Sequence, residues 1–393
     1  MGFLMDEQVD YAARAFAVPG SIVYGVGALA KAASVMAGLG SHALVVTSEM
    51  MVELGSAQKL LDVLAEHGVT YTVFDGVNAE PTDEVVEAGA RFFRENECDF
   101  LVALGGGSPL DTMKAIAMCV AGGLSAMELS GGEYRGSVLP MVAIPTTAGT
   151  GSEATRFTII TDTRHDVKML ISGDALFPDL AVIDPVFTMT APAGVTAMTG
   201  VDALCHAIES YASRKAQPLS QTFSLSAAKR IFENLVLCAR EPGNVEARTQ
   251  MSLAATEAGI AFNNASVTLV HGMSRPIGAL FHVPHGLSNA MLLEECLAFA
   301  IEGAPDRFAE IARCCGFSSS CDSDAAAAEL LTAIRELLRE LSIPTLAEFG
   351  VDRAAFMAAI PKMVEDALES GSPANTLRVV TGEDMRRIYE QLW

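Results

Sequence analysis

The sequence predicts an α/β N-terminal domain with a Rossmann-like parallel sheet, followed by an all-α C-terminal domain. Three observations carry that expectation. Short apolar runs alternate with amphipathic segments up to about residue 190. Two glycine-rich loops directly follow apolar runs in that half. Beyond Thr188 the periodicity is helical and strand signals almost vanish. A chain of 393 residues exceeds one ordinary domain, so the expected division is 1–190 and 191–393.

In the first half, Ser21–Gly25, His42–Thr47, Val69–Phe74, Phe100–Leu104 and Met141–Pro145 read as strands. Segments 28–37, 51–67, 82–96 and 111–120 read as the helices between them. Strand and helix alternating at this spacing imply βαβ units and a parallel sheet covered on both faces. In the second half, helices are expected over 192–211, 220–240, 245–270 and 325–341, with Ser318 to Ser323 as a surface loop. Pro344 stops one helix, and Thr381 signals the N-cap of the last.

Composition removes several function classes. A net charge of −22 leaves no basic stripe to neutralise phosphates, which argues against nucleic-acid and anionic-membrane partners. The eight cysteines form no C-x-x-C pair, and adjacent Cys314 and Cys315 have poor disulfide geometry. Reduced thiols and a cytoplasmic location are expected. The N-terminal Met1 to Glu7 lacks a signal-peptide pattern, and no apolar run is long enough to span a membrane.

Gly105-Gly106-Gly107-Ser108, with Asp111 after it, stands where a strand gives way to a helix. Glycines let the backbone approach a pyrophosphate, and the helix N-terminus favours the anion. Pro145-Thr146-Thr147-Ala148-Gly149-Thr150-Gly151-Ser152-Glu153 is a second such loop, with several hydroxyls. Two loops at strand ends can line one crevice, the usual ligand position in an open α/β sheet. A tight turn without ligand explains either loop alone. The pair points to a dinucleotide or another phosphate-bearing ligand.

The 201–285 stretch holds four of the seven histidines. Asp202 and His206 are four apart on an expected helix, so they share one face. His271 and His285 complete a possible shell, with His282 an alternative to His285. Taken singly, each histidine reads as structural. Together, imidazoles with one carboxylate suit Fe(II) or Zn(II) better than Mg or Ca.

At these residues the chain resembles the iron-containing (metal-dependent) alcohol dehydrogenases, on the dehydroquinate synthase-like scaffold. The resemblance runs nearly end to end, through Gly105 to Ser108 with Asp111, Thr146 to Glu153, Asp202-x-x-x-His206, and His271 through Gly286. It implies one divalent metal, Fe2+ or Zn2+, on Asp202, His206, His271 and His285. It implies NAD or NADP on the two loops at Gly105, Gly106, Gly107, Ser108, Asp111, Thr146, Thr147 and Thr150, with Lys168 also at the cofactor. The activity implied is interconversion of a small alcohol and its aldehyde or ketone by a homo-oligomer. The alternatives are a non-redox metal lyase of the dehydroquinate synthase type and a cofactor-binding protein without catalysis.

His282 becomes a pocket-lining residue under this resemblance, and Phe262 shapes an apolar wall or packs as helix core. Three positions depart from the family pattern. Arg275 stands where many members carry a proton-relaying histidine, and arginine cannot exchange a proton. A relay would then need His282, a ribose hydroxyl or water. Arg275 instead binds an anionic group or makes a structural ion pair. Ser48 follows the second strand where NAD-preferring relatives carry aspartate, although Glu49 is adjacent. Ser370 opens a segment that differs from the relatives' pocket-shaping sequence.

Overall fold

The computed structural model describes residues 13–165 and 167–393. The N-terminal Met1 to Glu7, read above as lacking a leader pattern, lies outside the described residues. A six-stranded sheet is built from β1 (Ser21–Tyr24), β2 (His42–Val46), β3 (Thr70–Phe74), β4 (Phe100–Gly105), β6 (Met141–Pro145) and β9 (Leu180–Ile183). Its order is β1-β9-β6-β4-β2-β3, with every pairing parallel. A smaller sheet joins β5 (Gly132–Glu133), β7 (Phe157–Asp162) and β8 (Val167–Ser172).

The helices of this half are α1 (Ala28–Met36), α2 (Glu49–Glu53), α3 (Ser56–Glu66), α4 (Asp83–Glu95) and α5 (Gly107–Gly122). Then come α6 (Ala193–Tyr211), α7 (Pro218–Arg240), α8 (Val245–Ala265), α9 (Leu269–Phe281) and α10 (His285–Ile301). The chain ends with α11 (Pro305–Cys314), α12 (Ser323–Glu340), α13 (Leu346–Phe349), α14 (Arg353–Glu369) and α15 (Gly382–Gln391). No described helix is long and apolar enough to cross a membrane.

Strand residues alternate between two buried faces, as a pleat of period two requires. Val45, Val102, Leu104 and Ile144 pack into one cluster with α1 and α3. Leu44, Leu101, Ala103 and Ala143 pack into the other with α4 and α5. The helical half builds a separate cluster from Val201 to Tyr389, joined from the first half by Ala148. All eight cysteines are free.

Three helical expectations need correction. The expected helix over 51–67 is two helices, because Gly55 takes a left-handed φ of 70° between them. The helix expected from Asp111 begins at Gly107, so the first glycine loop forms its opening turn. The helix expected over 245–270 stops at Ala265, and Ser266 takes a φ of 68°. Asn375 donates to Ser266 Oγ (3.1 Å) and to the Val267 carbonyl (3.0 Å), holding that break open. Strands β5, β7, β8 and β9 had no counterpart in the sequence reading.

Candidate active site

The two glycine loops leave the carboxyl ends of neighbouring strands β4 and β6. They are stitched together where they emerge, Thr146 N donating to the Gly105 carbonyl at 2.9 Å. A Cβ on Gly107 would approach the Thr150 side chain to 3.1 Å, and one on Gly105 would meet the Pro109 ring at 2.4 Å. Gly105 is therefore demanded by the close Pro109 ring, while a side chain at Gly107 would have to push Thr150 aside by a few tenths of an ångström. Ser48 lies next to them in sheet order, as the N-cap of α2 just beyond β2, with Glu49 exposed beside it.

The second loop also reaches the helical half. A Cβ on Gly149 would lie 2.6 Å from Thr199 Cβ on α6, and one on Gly151 would lie 2.6 Å from Gly259 Cα on α8. Thr199 is three residues before Asp202, so the loop rests on the helix that carries the carboxylate. Asp111 is engaged within the protein: it accepts from Ser152 Oγ (2.6 Å) and Ile159 N (3.0 Å), tying α5 to the second loop and β7. Lys168, on β8, pairs with Glu80 at 2.7 Å, and its charge helps hold the His285 imidazole down.

Asp202 and His206 project from one face of α6, His271 comes from α9, and His285 is the first residue of α10. Asp202, His271 and His285 each offer a ligand atom within 4.8 Å of the others. His206 joins through His271, their Nε2 atoms lying 2.9 Å apart. His271 Nε2 and His285 Nε2 stand 3.5 and 3.7 Å from Asp202 Oδ1. Ligands about 2.1 Å from one ion, tetrahedrally arranged, would be roughly 3.4 Å apart, close to these separations.

Both glycines that follow the histidines are explained by contact. A Cβ on Gly272 would meet the Pro373 ring at 2.6 Å, and one on Gly286 would meet the Met198 carbonyl at 2.6 Å.

Two residues escaped the sequence reading. Buried Glu209 accepts from His271 Nδ1, from Thr268 Oγ1 (2.8 Å) and from Val270 N (2.6 Å). It stands seven residues after Asp202, on the same face of α6, which was the available signal. Asn289, four after His285, donates to Asp202 Oδ1 at 2.6 Å. Burial pushes His206 down to about 3, and partial desolvation with the nearby His271, Arg275 and Lys168 charges lowers His285, which keeps a half-exposed ring, so both present lone pairs at neutral pH. Burial also opposes charge on His271, but Glu209 and Asp202 outweigh it and push the group up to about 9. With the His271 Nδ1 proton directed at Glu209, a second proton on His271 Nε2 bridges to the His206 Nε2 lone pair at 2.9 Å, and a divalent cation would take the place of that proton between the two nitrogens. That is the chemistry of a cation site, so the residues fit a divalent metal.

Phe262 stacks on the His206 ring, with centroids 4.3 Å apart, and continues to Phe157 at 6.5 Å. Arg275 lies one turn beyond His271 and donates to Ser372 Oγ at 3.0 Å. Ser370 caps α14 and its Oγ accepts from Ser372 N at 3.3 Å. His282 is not drawn into the donor cluster; it is the exposed left-handed C-cap of α9.

Two glycine loops at a parallel-sheet crevice, resting on a helix of an Asp/His cluster, define a metal-dependent dinucleotide oxidoreductase. The chain belongs to the iron-containing alcohol dehydrogenase family. Residues 19–185 match the model for iron-containing alcohol dehydrogenase, and 196–393 match the C-terminal model of the Fe-containing family. The NAD-dependent methanol dehydrogenase of Bacillus methanolicus is 35% identical over 379 residues, covering 95% of this chain and 98% of that protein. The NADPH-dependent butanol dehydrogenase of Clostridium saccharobutylicum is 32% identical, covering 95% and 97%. A crystal structure of 1,3-propanediol oxidoreductase superposes with a TM-score of 0.92 at 33% identity, covering 97% of this chain and all of that one.

Proposed function

We infer that the protein is a metal-dependent, NAD(P)-linked oxidoreductase that interconverts a small alcohol and its aldehyde or ketone. The observation that carries this reading is the facing pair of imidazole nitrogens, His206 and His271, beside Asp202 and His285. Family membership favours it over the lyase alternative.

In this reading Asp202, His206, His271 and His285 hold one divalent ion, Fe2+ foremost and Zn2+ second. The metal would polarise the substrate oxygen while a bound nicotinamide exchanges hydride with the substrate carbon. Glu209 keeps the His271 ring turned so that Nε2 faces inward, and Asn289 fixes the Asp202 carboxylate. Gly105, Gly106, Gly107, Ser108, Thr146, Thr147 and Thr150 cradle the cofactor phosphates and ribose. Asp111 buttresses that cradle, and Lys168 and Ser48 flank it. NAD and NADP are each used by relatives at similar identity.

Phe262 would form an apolar wall beside His206, and Ser370 would shape the far side of the pocket through Ser372. His282 remains a solvent-side route for protons. We also propose the domain boundary near residue 190, a cytoplasmic location in keeping with the free thiols, and a homo-oligomer. Among the described residues β1 is an edge strand of the sheet, and exposed Tyr24 on it offers such an oligomer a surface.

The test is metal analysis of the purified protein, with NADH and NADPH oxidation followed across a panel of aldehydes. Metal-loaded protein that oxidises neither nucleotide with any aldehyde would refute the reading.

A further inference from the structure

Two partly or fully buried arginines of the helical half are bonded very differently. Arg248, on α8, is fully buried, and each of its three nitrogens has a partner. Nε donates to the Pro242 carbonyl (3.0 Å), Nη1 to Thr196 Oγ1 (2.9 Å) and Nη2 to the Ala191 carbonyl (3.1 Å). That is a structural arginine, its donors used up in the packing. Arg275 makes one hydrogen bond, from Nη1 to Ser372 Oγ, and among the described residues no carboxylate lies within ion-pair distance of it. Its remaining N–H groups have no partner among the described residues, although the side chain is partly buried and burial works against its charge.

Placement gives those donors a purpose. Arg275 follows His271 by four residues on α9, so the two project from the same face, one turn apart. The Arg275 charge acts on His285, across the donor cluster. A half-buried guanidinium with donors left over binds a carboxylate, sulfonate or phosphonate through paired, charge-assisted hydrogen bonds. A neutral alkyl chain offers it no such bonds.

We propose that Arg275, with Ser372, is a specificity-determining anion subsite, and that the preferred substrate is an aldehyde or alcohol carrying an acidic group a few atoms from the reacting carbon. This rests on the dehydrogenase reading and names its substrate class. Arg275 binds the remote end of the substrate and takes no proton.

The experiment compares butanal with 4-oxobutanoate, matched in length and differing in charge, on metal-loaded wild type, Arg275→Met and Arg275→Lys. The wild type is expected to favour 4-oxobutanoate in kcat/KM. Arg275→Met should reduce that preference by roughly 10- to 100-fold, through KM, with butanal little affected. Arg275→Lys should recover part of it. An unchanged ratio in Arg275→Met overturns the proposal. So does a rise in the NADH KM that is the same with both aldehydes, which would assign Arg275 to the cofactor. Calorimetric binding of butanoate to wild type and Arg275→Lys decides the subsite independently of turnover. Binding weakened in the lysine variant and absent for butanamide supports the subsite, and equal affinities refute it. Lack of turnover with either aldehyde would instead count against the dehydrogenase reading.

Discussion

The ammonium of Lys114 lies 2.7 Å from the carbonyl oxygen of Ser152, deep beneath the two glycine loops. It donates as well to the carbonyls of Thr155 (2.9 Å) and Phe157 (2.8 Å), and it is fully buried. Burial pushes it down to about 8 against the pull of Asp111 and Glu153. Lys114 stands on α5, opened by the first loop, and its acceptors lie on the second loop and the start of β7. One cation therefore fixes the spacing of two loops.

Lys114→Met should leave those carbonyls unpaired, at about 1–3 kcal/mol for each one that stays dry. The expected result is a lowered melting temperature and an NADH KM raised on the order of tenfold, from displaced cofactor loops. Bound metal should remain, because no donor of the cluster touches Lys114. An unchanged NADH KM in a folded variant would separate this staple from cofactor binding.

Removal of the metal should destabilise the protein without unfolding it, since the helical core closes independently of the donors. At a free-ion concentration of 100 times Kd, ligation contributes about 2.7 kcal/mol, a shift of a few degrees that a chelator should abolish and added Fe2+ or Zn2+ restore. Asp202→Ala and His271→Ala should lose both metal and activity. Glu209→Gln tests the orienting bond on its own. It should retain the fold and weaken metal affinity about 10- to 100-fold, measured by competition with a chromophoric chelator.

The contact between Gly151 and Gly259 joins the second loop to α8 with no side chain between them. A Cβ on Gly259 would come within 2.7 Å of the Gly151 carbonyl. Gly259→Ala should cost about 1–3 kcal/mol as an overpacked site, read by chemical denaturation. Gly151→Ala adds the strain of a φ of 63° and should be the worse of the two. Equal stability of both variants with the parent would mean that the loop stands off the helix in solution.

What the sequence made legible follows from distance along the chain. Asp202 and His206 are one helical turn apart, and each glycine loop is contiguous with the strand it follows, so local spacing reveals them. The four residues of β9 are too few to show a period, yet they fill the sheet between β1 and β6. The break at Ser266 depends on Asn375, which lies 109 residues away. Glu209 shared the face of Asp202, but a carboxylate on a helix reads as solvent-facing until its partners on α9 are known. Arg275 was visible as a departure from the family pattern. Its unused donors are a fact of packing that no spacing reveals.

A pH dependence follows from Asp99, which sits at the mouth of β4 and ties down the start of β2. Its carboxylate accepts from Ser41 N (2.8 Å), Ser41 Oγ (2.8 Å) and His42 N (2.9 Å). Partial burial alone would raise this group, but the N–H bonds from His42 and Ser41 outweigh it and hold the carboxyl below its ordinary 3.8. The folded state thus binds the proton less readily than the unfolded chain. The stabilisation is fully present above about pH 4 and is lost as the pH falls below 3.8 through the depressed folded value. Asp99→Asn should therefore cost on the order of 1 kcal/mol at pH 7, since the group is largely exposed and solvent screens it. The gap between wild type and variant in urea denaturation should begin to narrow as the pH falls below about 4 and close further as it passes the depressed folded value. A gap that stays constant through that fall in pH would show that the amide hydrogen bonds act without help from the charge.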